Sequence, residues 1–160
     1  MKLITKAATT ALLTMTFTQA SWALTTDEAR DIVEPFYSFL SQSTNVEAAN
    51  TARDSFHSDW QSYYSNQGTK DLDGTIKFLS GFGELVPDLK WEIVDLKVSG
   101  NDVIVRGEAT GTPVGDFFGV PHGGKSFKIM SIDIHTINDG KVQRSYHIED
   151  WAGAMRQLSN

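Results

Sequence analysis

The stretch SFKIMSIDIHTINDGKVQRSYHIE, residues 126–149, decides the fold of this chain. Apolar and polar side chains alternate along both of its halves, which is the period of a β-strand with one apolar face. Asn138-Asp139-Gly140 interrupts the alternation with residues that favour turns. The stretch therefore predicts an antiparallel hairpin, with strands over 126–137 and 142–149.

Upstream of the hairpin, the same period of two runs through residues 90–98 and 102–110, which are separated by Ser99-Gly100-Asn101. A segment rich in glycine and proline, 111–124, joins the second of these strands to the hairpin. Four successive strands of this kind predict an antiparallel meander.

Before the first strand, the spacing of the apolar residues is helical. Thr25 and Glu28 predict a capping box, and Pro35 predicts a kink in the helix that follows. The apolar face of this helix comprises Ala29, Ile32, Val33, Phe36, Tyr37 and Leu40. Two shorter helices are predicted, one from Thr44 to about Phe56 and one over 74–85. Helices followed by strands predict a single α+β domain, with the helices packed on one face of a curved sheet.

Length and composition exclude several classes of protein. The 160 residues, 40% of them hydrophobic, fit one globular domain. A net charge of −6 lacks the basic surface that a nucleic acid or an anionic membrane attracts, so neither is expected as a partner. The chain has no cysteine, which excludes a thiolate nucleophile, a disulfide and a cysteine-ligated metal.

The first 23 residues have the pattern of a secretory signal peptide. Lys2 and Lys6 precede the uncharged run 7–17, and Ser21-Trp22-Ala23 offers small residues at the positions that a signal peptidase reads. The run is short for a membrane span. We therefore expect cleavage after Ala23, a mature domain over 24–160, and a periplasmic or secreted location without membrane attachment after cleavage.

Five segments, read together, resemble the SnoaL-like polyketide and ester cyclases of the nuclear-transport-factor-2-like superfamily. They are PDLKWEIVDLKVSGNDVIVRG (87–107), GT at 111, GDFFGVP (115–121), NDGKV (138–142) and DWAGAMRQL (150–158). The resemblance implies a cone, or α+β barrel, in which N-terminal helices pack on a curved, mainly antiparallel sheet and enclose a pocket. It also implies chemistry without a metal or an organic cofactor, on a small hydrophobic or aromatic molecule that contains a carbonyl group.

The resemblance also indicates which residues carry the chemistry. In characterised members an aspartate on the last strand acts as acid and base in an aldol closure, assisted by a glutamine and a histidine on the preceding strand. These positions fall on His147, Ser131 and Asp133, so the carboxylate and the imidazole have exchanged strands. A further family asparagine falls at about Ser62.

The register of the hairpin decides whether His147 and Asp133 can meet. A three-residue loop over 138–140, with Gly140 left-handed, places Ser131 opposite His147 and makes Asp133 a diagonal neighbour of His147 at roughly 7–8 Å. Asp133 would then orient the imidazole, and His147 would be the catalytic base. A two-residue loop would shift the register by one and separate the two side chains.

The hairpin has one polar and one apolar face, and one of them must be wet. The polar face comprises Ser131, Asp133, His135, Gln143, Ser145, His147 and Glu149, and the apolar face comprises Met130, Ile132, Ile134, Tyr146 and Ile148. The polar face is either exposed to solvent or, as the resemblance implies, it lines the pocket. In the second case the apolar face is available for a homodimer contact.

Other residues are weaker candidates for the site. Asp150 is a secondary catalytic candidate, although an N-cap on the amide of Gly153 is the favoured interpretation. Ser131, His135 and Ser62 are predicted to contact the substrate, and Trp60 and Tyr64 to wall the pocket, although such aromatic residues are often plain core. Asp133, His135, His147 and Glu149 are suitable metal ligands in type, but their strand spacing is not diagnostic, and we expect no metal.

Two functions from different classes fit the sequence. The first is cofactor-independent proton transfer at a carbon next to a carbonyl, as in aldol cyclisation or isomerisation, with His147 as the base. The second is a non-catalytic periplasmic protein that binds a small hydrophobic ligand on the same fold. A structural domain that uses only its dimer face is a third interpretation, and a pocket filled by side chains would support it.

Overall fold

The structure is a computed structural model that describes residues 24–160. The predicted signal peptide, 1–23, lies outside the described residues. Within the described part of the chain, no helix is long and apolar enough to cross a membrane.

The described residues contain four helices, and the sequence predicted the first three of them. They are α1 (Thr26–Leu40), α2 (Val46–Asp54), α3 (Leu72–Leu85) and α4 (Trp151–Ser159). The predicted capping box of α1 is confirmed, because the Glu28 amide donates to Thr25 Oγ1 and Glu28 Oε2 accepts from the Thr25 amide. Pro35 lies inside α1, as the sequence predicted.

The second helix is shorter than predicted at both ends. Asn45, not Thr44, is its N-cap, and Asn45 Oδ1 accepts hydrogen bonds from the amides of Glu47 and Ala48. The helix ends at Asp54 because Phe56 already belongs to a strand.

The helices pack on a six-stranded mixed sheet. Its strands are β1 (Phe56–Tyr63), β2 (Thr69–Asp71), β3 (Lys90–Ser99), β4 (Asp102–Gly111), β5 (Phe127–Asn138) and β6 (Lys141–Glu149). Their order is β2-β1-β6-β5-β4-β3, and only the β1–β6 pair is parallel. The predicted α+β class and the mainly antiparallel sheet are confirmed. The sheet is open, so the word barrel does not describe it.

The sequence did not predict β1 and β2. In β1 the side chains of Phe56, Trp60 and Ser62 are buried, but the segment FHSDWQSY is too polar to show a strand period. A register shift between Phe56 and Gln61, along the pairing with β6, further breaks the alternation. β1 exists because β6 supplies its hydrogen-bonding partner from about 85 residues along the chain.

The β5–β6 hairpin combines features of both predicted registers. Asp139 and Gly140 are both left-handed, with φ of 47° and 72°, and form a two-residue loop, so the three-residue loop is wrong. An irregularity between the pairs of Thr136 and Ile137 then inserts one extra residue into β6. Asp133 consequently lies directly opposite His147, neither diagonal to it nor separated from it.

The bulge also corrects one member of the predicted polar face. Val142 pairs with Ile137 and is buried, so Val142 rather than Gln143 takes the interior position near the turn. Beyond the bulge, the predicted alternation holds to the end of the strand. The polar side chains of β5 and β6 therefore share one face, which α1, α3 and α4 cover.

Candidate functional site

The polar face of the hairpin lies inside the protein. Asp133 is 5% exposed and His135 1%, whereas Ile148, on the opposite face, is 69% exposed. The interpretation of the polar face as ordinary solvent-exposed surface is therefore wrong. Buried polar groups must find hydrogen-bonding partners, and those partners define the site.

A cavity of about 210 Å³ opens onto these polar groups. Its walls are mostly aromatic and aliphatic, and the apolar residues include Phe36, Leu40, Leu79, Phe82, Phe118 and Trp151. His147, Asp133, Glu149 and Ser62 supply the polar part of the lining. A pocket filled by side chains would have supported the interpretation of a purely structural domain. The cavity is not filled, so that support is absent.

His147 lies in the middle of a three-residue hydrogen-bonded chain. Its Nδ1 lies 2.6 Å from Glu149 Oε1, and its Nε2 lies 2.8 Å from Ser62 Oγ. The other Glu149 oxygen, Oε2, accepts from Trp151 Nε1 at 3.1 Å. Burial favours the neutral imidazole, but the hydrogen bond and charge of Glu149, followed by the charge of Asp133, outweigh it, so the pKa of His147 is raised.

The predicted orienting role of Asp133 is corrected by this geometry. The ring nitrogen that Asp133 was expected to hold is bonded to Glu149, because Glu149 follows His147 by two residues and projects from the same face of β6. Asp133 still faces the imidazole, since the candidate ligand atoms of Asp133, His147 and Glu149 all lie within 4.8 Å of one another. Burial, followed by the charge of Glu149, raises the pKa of Asp133 to about 7.

One chain of hydrogen bonds runs from Trp60 to Tyr37. Trp60 Nε1 donates to Ser145 Oγ at 3.0 Å, and Ser145 Oγ lies 2.7 Å from Nδ1 of His135. Nε2 of His135 lies 3.0 Å from the Tyr37 hydroxyl. Burial lowers the pKa of His135 to about 3, so the ring is neutral.

A second chain of hydrogen bonds runs from Trp91 to Asp133. Trp91 Nε1 donates to Ser131 Oγ at 3.2 Å, and Ser131 Oγ donates to Asp133 Oδ2 at 3.2 Å. Each chain begins at an indole N–H, which can only donate, and the second one ends at the buried carboxyl group of Asp133. The second chain passes beside Gly107 of β4, which pairs with Ser131.

Gly107→Ala is expected to destabilise the fold by about 1–3 kcal/mol, because the added methyl group overpacks the site. A Cβ at Gly107 would lie 2.5 Å from Ser131 Oγ and 2.8 Å from Trp91 Nε1. Denaturant unfolding measures the change. Gly81→Ala is the matched control: nothing lies within 4 Å of its Cβ in α3, so helix propensity should stabilise the fold by about 0.5–1 kcal/mol. Equal effects of the two substitutions would contradict the close packing at Gly107.

The remaining predicted residues divide between the cavity and the surface. Ser62, Trp60, His135 and Tyr64 line the cavity, and Tyr64 is 43% exposed at its mouth. Ser131 is buried outside the lining and donates to Asp133, which corrects its predicted contact with the substrate. His135, which would be a surface residue if the polar face were exposed to solvent, is 1% exposed. Asp150 is exposed and its Oδ1 accepts from the Gly153 amide at 2.8 Å, so the favoured capping interpretation is confirmed.

Sequence reasoning missed the roles of three residues. Glu149 was placed on the polar face, but only the structure joins it to His147. Tyr37 has the spacing of a core helical residue, and nothing in that spacing indicates a hydrogen bond to β5. Lys70 lines the cavity from β2, with its ammonium 3.8 Å from the centroid of the Tyr64 ring, and no motif marked it.

Asp133, His147 and Glu149 form the one cluster in the described residues with the donor types and spacing to hold a metal ion. Their hydrogen bonds within the chain already account for the arrangement, since both nitrogens of His147 have protein partners. A metal would have to displace Glu149 or Ser62 from the imidazole. The absence of a metal from the chemistry stays a prediction.

The family profile for SnoaL-like polyketide cyclase matches residues 34–158, and the chain belongs to this family. The match begins inside α1 and spans the rest of the fold up to the last turn of α4, with all the cavity-lining residues named above. No curated protein matches the sequence at a significant level.

Solved structures share the fold at low sequence identity. TsrD from Streptomyces laurentii superposes with a TM-score of 0.72 and 23% identity, over 84% of this chain and 97% of TsrD. IdmH from Streptomyces antibioticus gives 0.73 and 20%, over 82% of this chain and 99% of IdmH. A SnoaL-like polyketide cyclase from Agrobacterium tumefaciens gives 0.67 and 19%, over 81% and 97%. At this identity the comparisons establish the nuclear-transport-factor-2-like fold, and activity must be argued from the site.

Proposed function

We propose that the protein catalyses proton transfer at a carbon next to a carbonyl group, in a small hydrophobic or aromatic molecule and without a cofactor. The observation that carries the proposal is the pairing of His147 with Asp133 across β5 and β6 at the edge of an apolar cavity. An aldol closure or an isomerisation requires a base at the carbon and an acid at the carbonyl oxygen. These two side chains are the acid and base of the proposal.

His147 has the properties of the base. Glu149 holds Nδ1 of the ring, which leaves Nε2 to take a proton once the substrate displaces the Ser62 hydroxyl. The negative charge of Glu149 stabilises the imidazolium that forms.

Asp133 has the properties of the acid. With its pKa raised to about 7, a large fraction of its carboxyl groups is protonated near neutrality. A protonated carboxyl group in an apolar site can donate to the oxygen on which enolate charge develops. The Ser131 hydroxyl, which donates to Asp133 Oδ2, orients the carboxyl group.

Exchange of carbon-bound hydrogen tests the proposal. The full chain is incubated in D₂O with aromatic and aliphatic β-ketoesters, and exchange at the carbon between the carbonyls is followed by NMR. We expect catalysed exchange that is fastest with the compounds that also bind. Measurable binding without exchange above the buffer rate across the panel would overturn it.

A non-catalytic ligand-binding protein is the second candidate. The observation that favours it is the closed hydrogen-bond network: both nitrogens of His147 and an oxygen of Asp133 already have partners within the chain. A ligand could fill the apolar part of the cavity without entering this network. Binding without exchange is the result that this candidate predicts.

We also propose that two copies associate through the apolar face of the sheet. Met130, Ile134, Tyr146 and Ile148 project from this face and are exposed. Contiguous apolar surface of this kind marks interaction sites in soluble proteins.

Ile148→Asp is expected to convert the proposed dimer into a monomer, because a carboxylate in the centre of an apolar contact would be desolvated without a partner. Light scattering after size-exclusion chromatography measures the mass. Val94→Asp, at a separate exposed position on β3, is the control. A monomeric unsubstituted protein would contradict the proposal.

Export to the periplasm or the medium is a further proposal, supported by Lys2, Lys6 and the small residues before Leu24. Expression of the full chain should yield a mature protein whose first residue is Leu24. Mass spectrometry of the secreted or periplasmic fraction checks this, and retention of residues 1–23 in that fraction would contradict it.

A further inference from the structure

We propose that Ser62 is a nucleophile and that the cavity cleaves small apolar esters through an acyl-Ser62 intermediate. The proposal goes beyond the proton transfer at carbon described above. It rests on the linear arrangement of Ser62, His147 and Glu149 on the adjacent parallel strands β1 and β6.

The three side chains have the geometry of a nucleophile, a base and an orienting acid. Ser62 Oγ lies 2.8 Å from Nε2 of His147, and Nδ1 lies 2.6 Å from Glu149 Oε1. Both distances fall within the range of about 2.6–3.2 Å that activates a serine hydroxyl. In the neutral ring, Nδ1–H donates to Glu149, so Nε2 must accept the Ser62 proton.

The protein positions both ends of the chain formed by Ser62, His147 and Glu149. Trp151 Nε1 donates to the second oxygen of Glu149 and fixes the carboxylate. Ser62 is 4% exposed and lines the same cavity, so its hydroxyl faces the bound ligand and not bulk water. Such groups are recognised by geometry and role, not by sequence spacing, which explains why no motif pointed to them.

The chemical step is balanced with water as the co-reactant. Ser62 Oγ forms a bond to the ester carbonyl carbon while His147 Nε2 takes the hydroxyl proton. The tetrahedral intermediate breaks the bond to the alkoxy oxygen, and His147 returns the proton to that leaving alcohol. Water then attacks the acyl carbon, passes its proton to His147, and releases the carboxylic acid and Ser62 with its proton restored.

Lys70 is placed to favour the negative charge that develops on the carbonyl oxygen. It is the one lysine or arginine among the described residues that line the cavity, and the rings of Tyr64 and Phe78 hold its ammonium at 3.8 and 4.8 Å from their centroids. Its charge reaches the centre, since it opposes protonation of His147. The cavity of about 210 Å³ is below the roughly 300–1,000 Å³ of drug-sized sites, which indicates a short acyl group.

Ester turnover and covalent labelling test the proposal on the full chain. We expect hydrolysis of p-nitrophenyl butyrate, and a single adduct at Ser62 after treatment with a small fluorophosphonate, located by peptide mass spectrometry. Ser62→Ala should abolish both, and His147→Gln should slow both by about 10²–10⁴-fold. Ser58→Ala, an exposed serine on the same strand, should leave both unchanged. Labelling of Ser62→Ala at the rate of the unsubstituted chain would overturn the proposal.

A thiol probe distinguishes activation from a packing role. Because the chain has no cysteine, Ser62→Cys introduces a single thiol, and Ser58→Cys is the matched control. We expect iodoacetamide to alkylate Ser62→Cys at least about tenfold faster than Ser58→Cys at pH 6, because His147 promotes formation of the thiolate. Adding His147→Gln should remove this advantage. Slower alkylation than in Ser58→Cys, with the pH profile of an ordinary thiol near 8.5, would overturn the proposal.

The ester assay and the carbon-exchange assay test the two proposals separately. Ester cleavage and adduct formation require the Ser62 hydroxyl as nucleophile, whereas the proposed carbon exchange requires His147 and Asp133, so loss of the adduct in Ser62→Ala tests the ester proposal alone. Loss of ester cleavage alone would locate that activity at Ser62, whereas an active esterase that never exchanges carbon-bound hydrogen would overturn only the proposed proton transfer.

Discussion

His147→Gln is expected to lower the rate of proton exchange at carbon by about 10²–10⁴-fold, the usual contribution of a positioned general base. Glutamine preserves much of the size and polarity of the side chain but cannot take a proton at neutral pH. Ligand affinity should change little, because the apolar walls of the cavity are untouched. Exchange rates and calorimetric binding, measured on the same ligand, separate the two effects.

The matched control is His122→Gln, because His122 lies in an exposed loop outside the cavity lining. A pH profile adds a second criterion. The pKa of His147 is raised by Glu149, so the rate should rise with pH through a value above 6.5, and Glu149→Gln should move this limb to lower pH. Unchanged exchange in His147→Gln would exclude His147 as the base.

Asp133→Asn is expected to stabilise the fold at pH 8 while it lowers exchange activity. The pKa of Asp133 is raised from 3.8 to about 7 by burial and by Glu149, so the folded state holds a proton that the unfolded chain releases earlier. The stability that this proton contributes is present below 3.8 and is lost as the pH rises through 7. The full displacement corresponds to about 4 kcal/mol, which Asn avoids because it carries no charge.

Unfolding in guanidinium at pH 4 and pH 8 measures this effect as a difference. Relative to the unsubstituted protein, Asp133→Asn should gain up to about 4 kcal/mol more at pH 8 than at pH 4. Comparing variants at each pH removes the opposite contribution of His135, whose depressed pKa destabilises the fold as the pH falls from 6.5 toward 3 in both proteins. Asp59→Asn, an exposed position on β1, is the control. An equal gain at both values of pH would contradict a buried, proton-retaining Asp133.

Both predictions follow from a conflict between the stability of the fold and the function of Asp133. An apolar cavity and Glu149 make ionised Asp133 costly, and the same environment keeps its proton available near neutrality. The hydroxyls of Tyr37 and Ser131 limit that cost without removing it. When replacement of an acidic residue stabilises the fold, that residue is expected to be retained for function rather than for packing.

The local elements were readable from the sequence because local forces specify them. The capping box at Thr25 and Glu28 fixes the start of α1, and the alternation along residues 126–137 fixes which side chains of β5 share a face. The placement of Asp133 and His135 on one face of β5 followed from the period of two alone, whereas the position of His147 on that face depended on the register of the hairpin. The family followed from segments spread along the chain, and the matching profile over 34–158 confirms it.

The hydrogen bonds of the site were not readable in this way. A one-residue bulge in β6 compensates for the two-residue turn at Asp139-Gly140, and neither feature has a local signal strong enough to predict the other. Glu149 rather than Asp133 holds His147, because of side-chain reach along one strand. Tyr37 joins the site only because its side chain reaches from α1 to His135 on β5.

By itself, the sequence determined the α+β class, the first three helices, the four strands β3 to β6, the family and which side chains of β5 share a face, since these depend on periodicity and on short-range contacts. Only the tertiary structure decided that the polar face is buried, that β1 pairs in parallel with β6, and that Ser62, His147 and Glu149 form one chain. These features depend on contacts between residues about 85 positions apart, whose free energy exists only once the whole sheet has assembled.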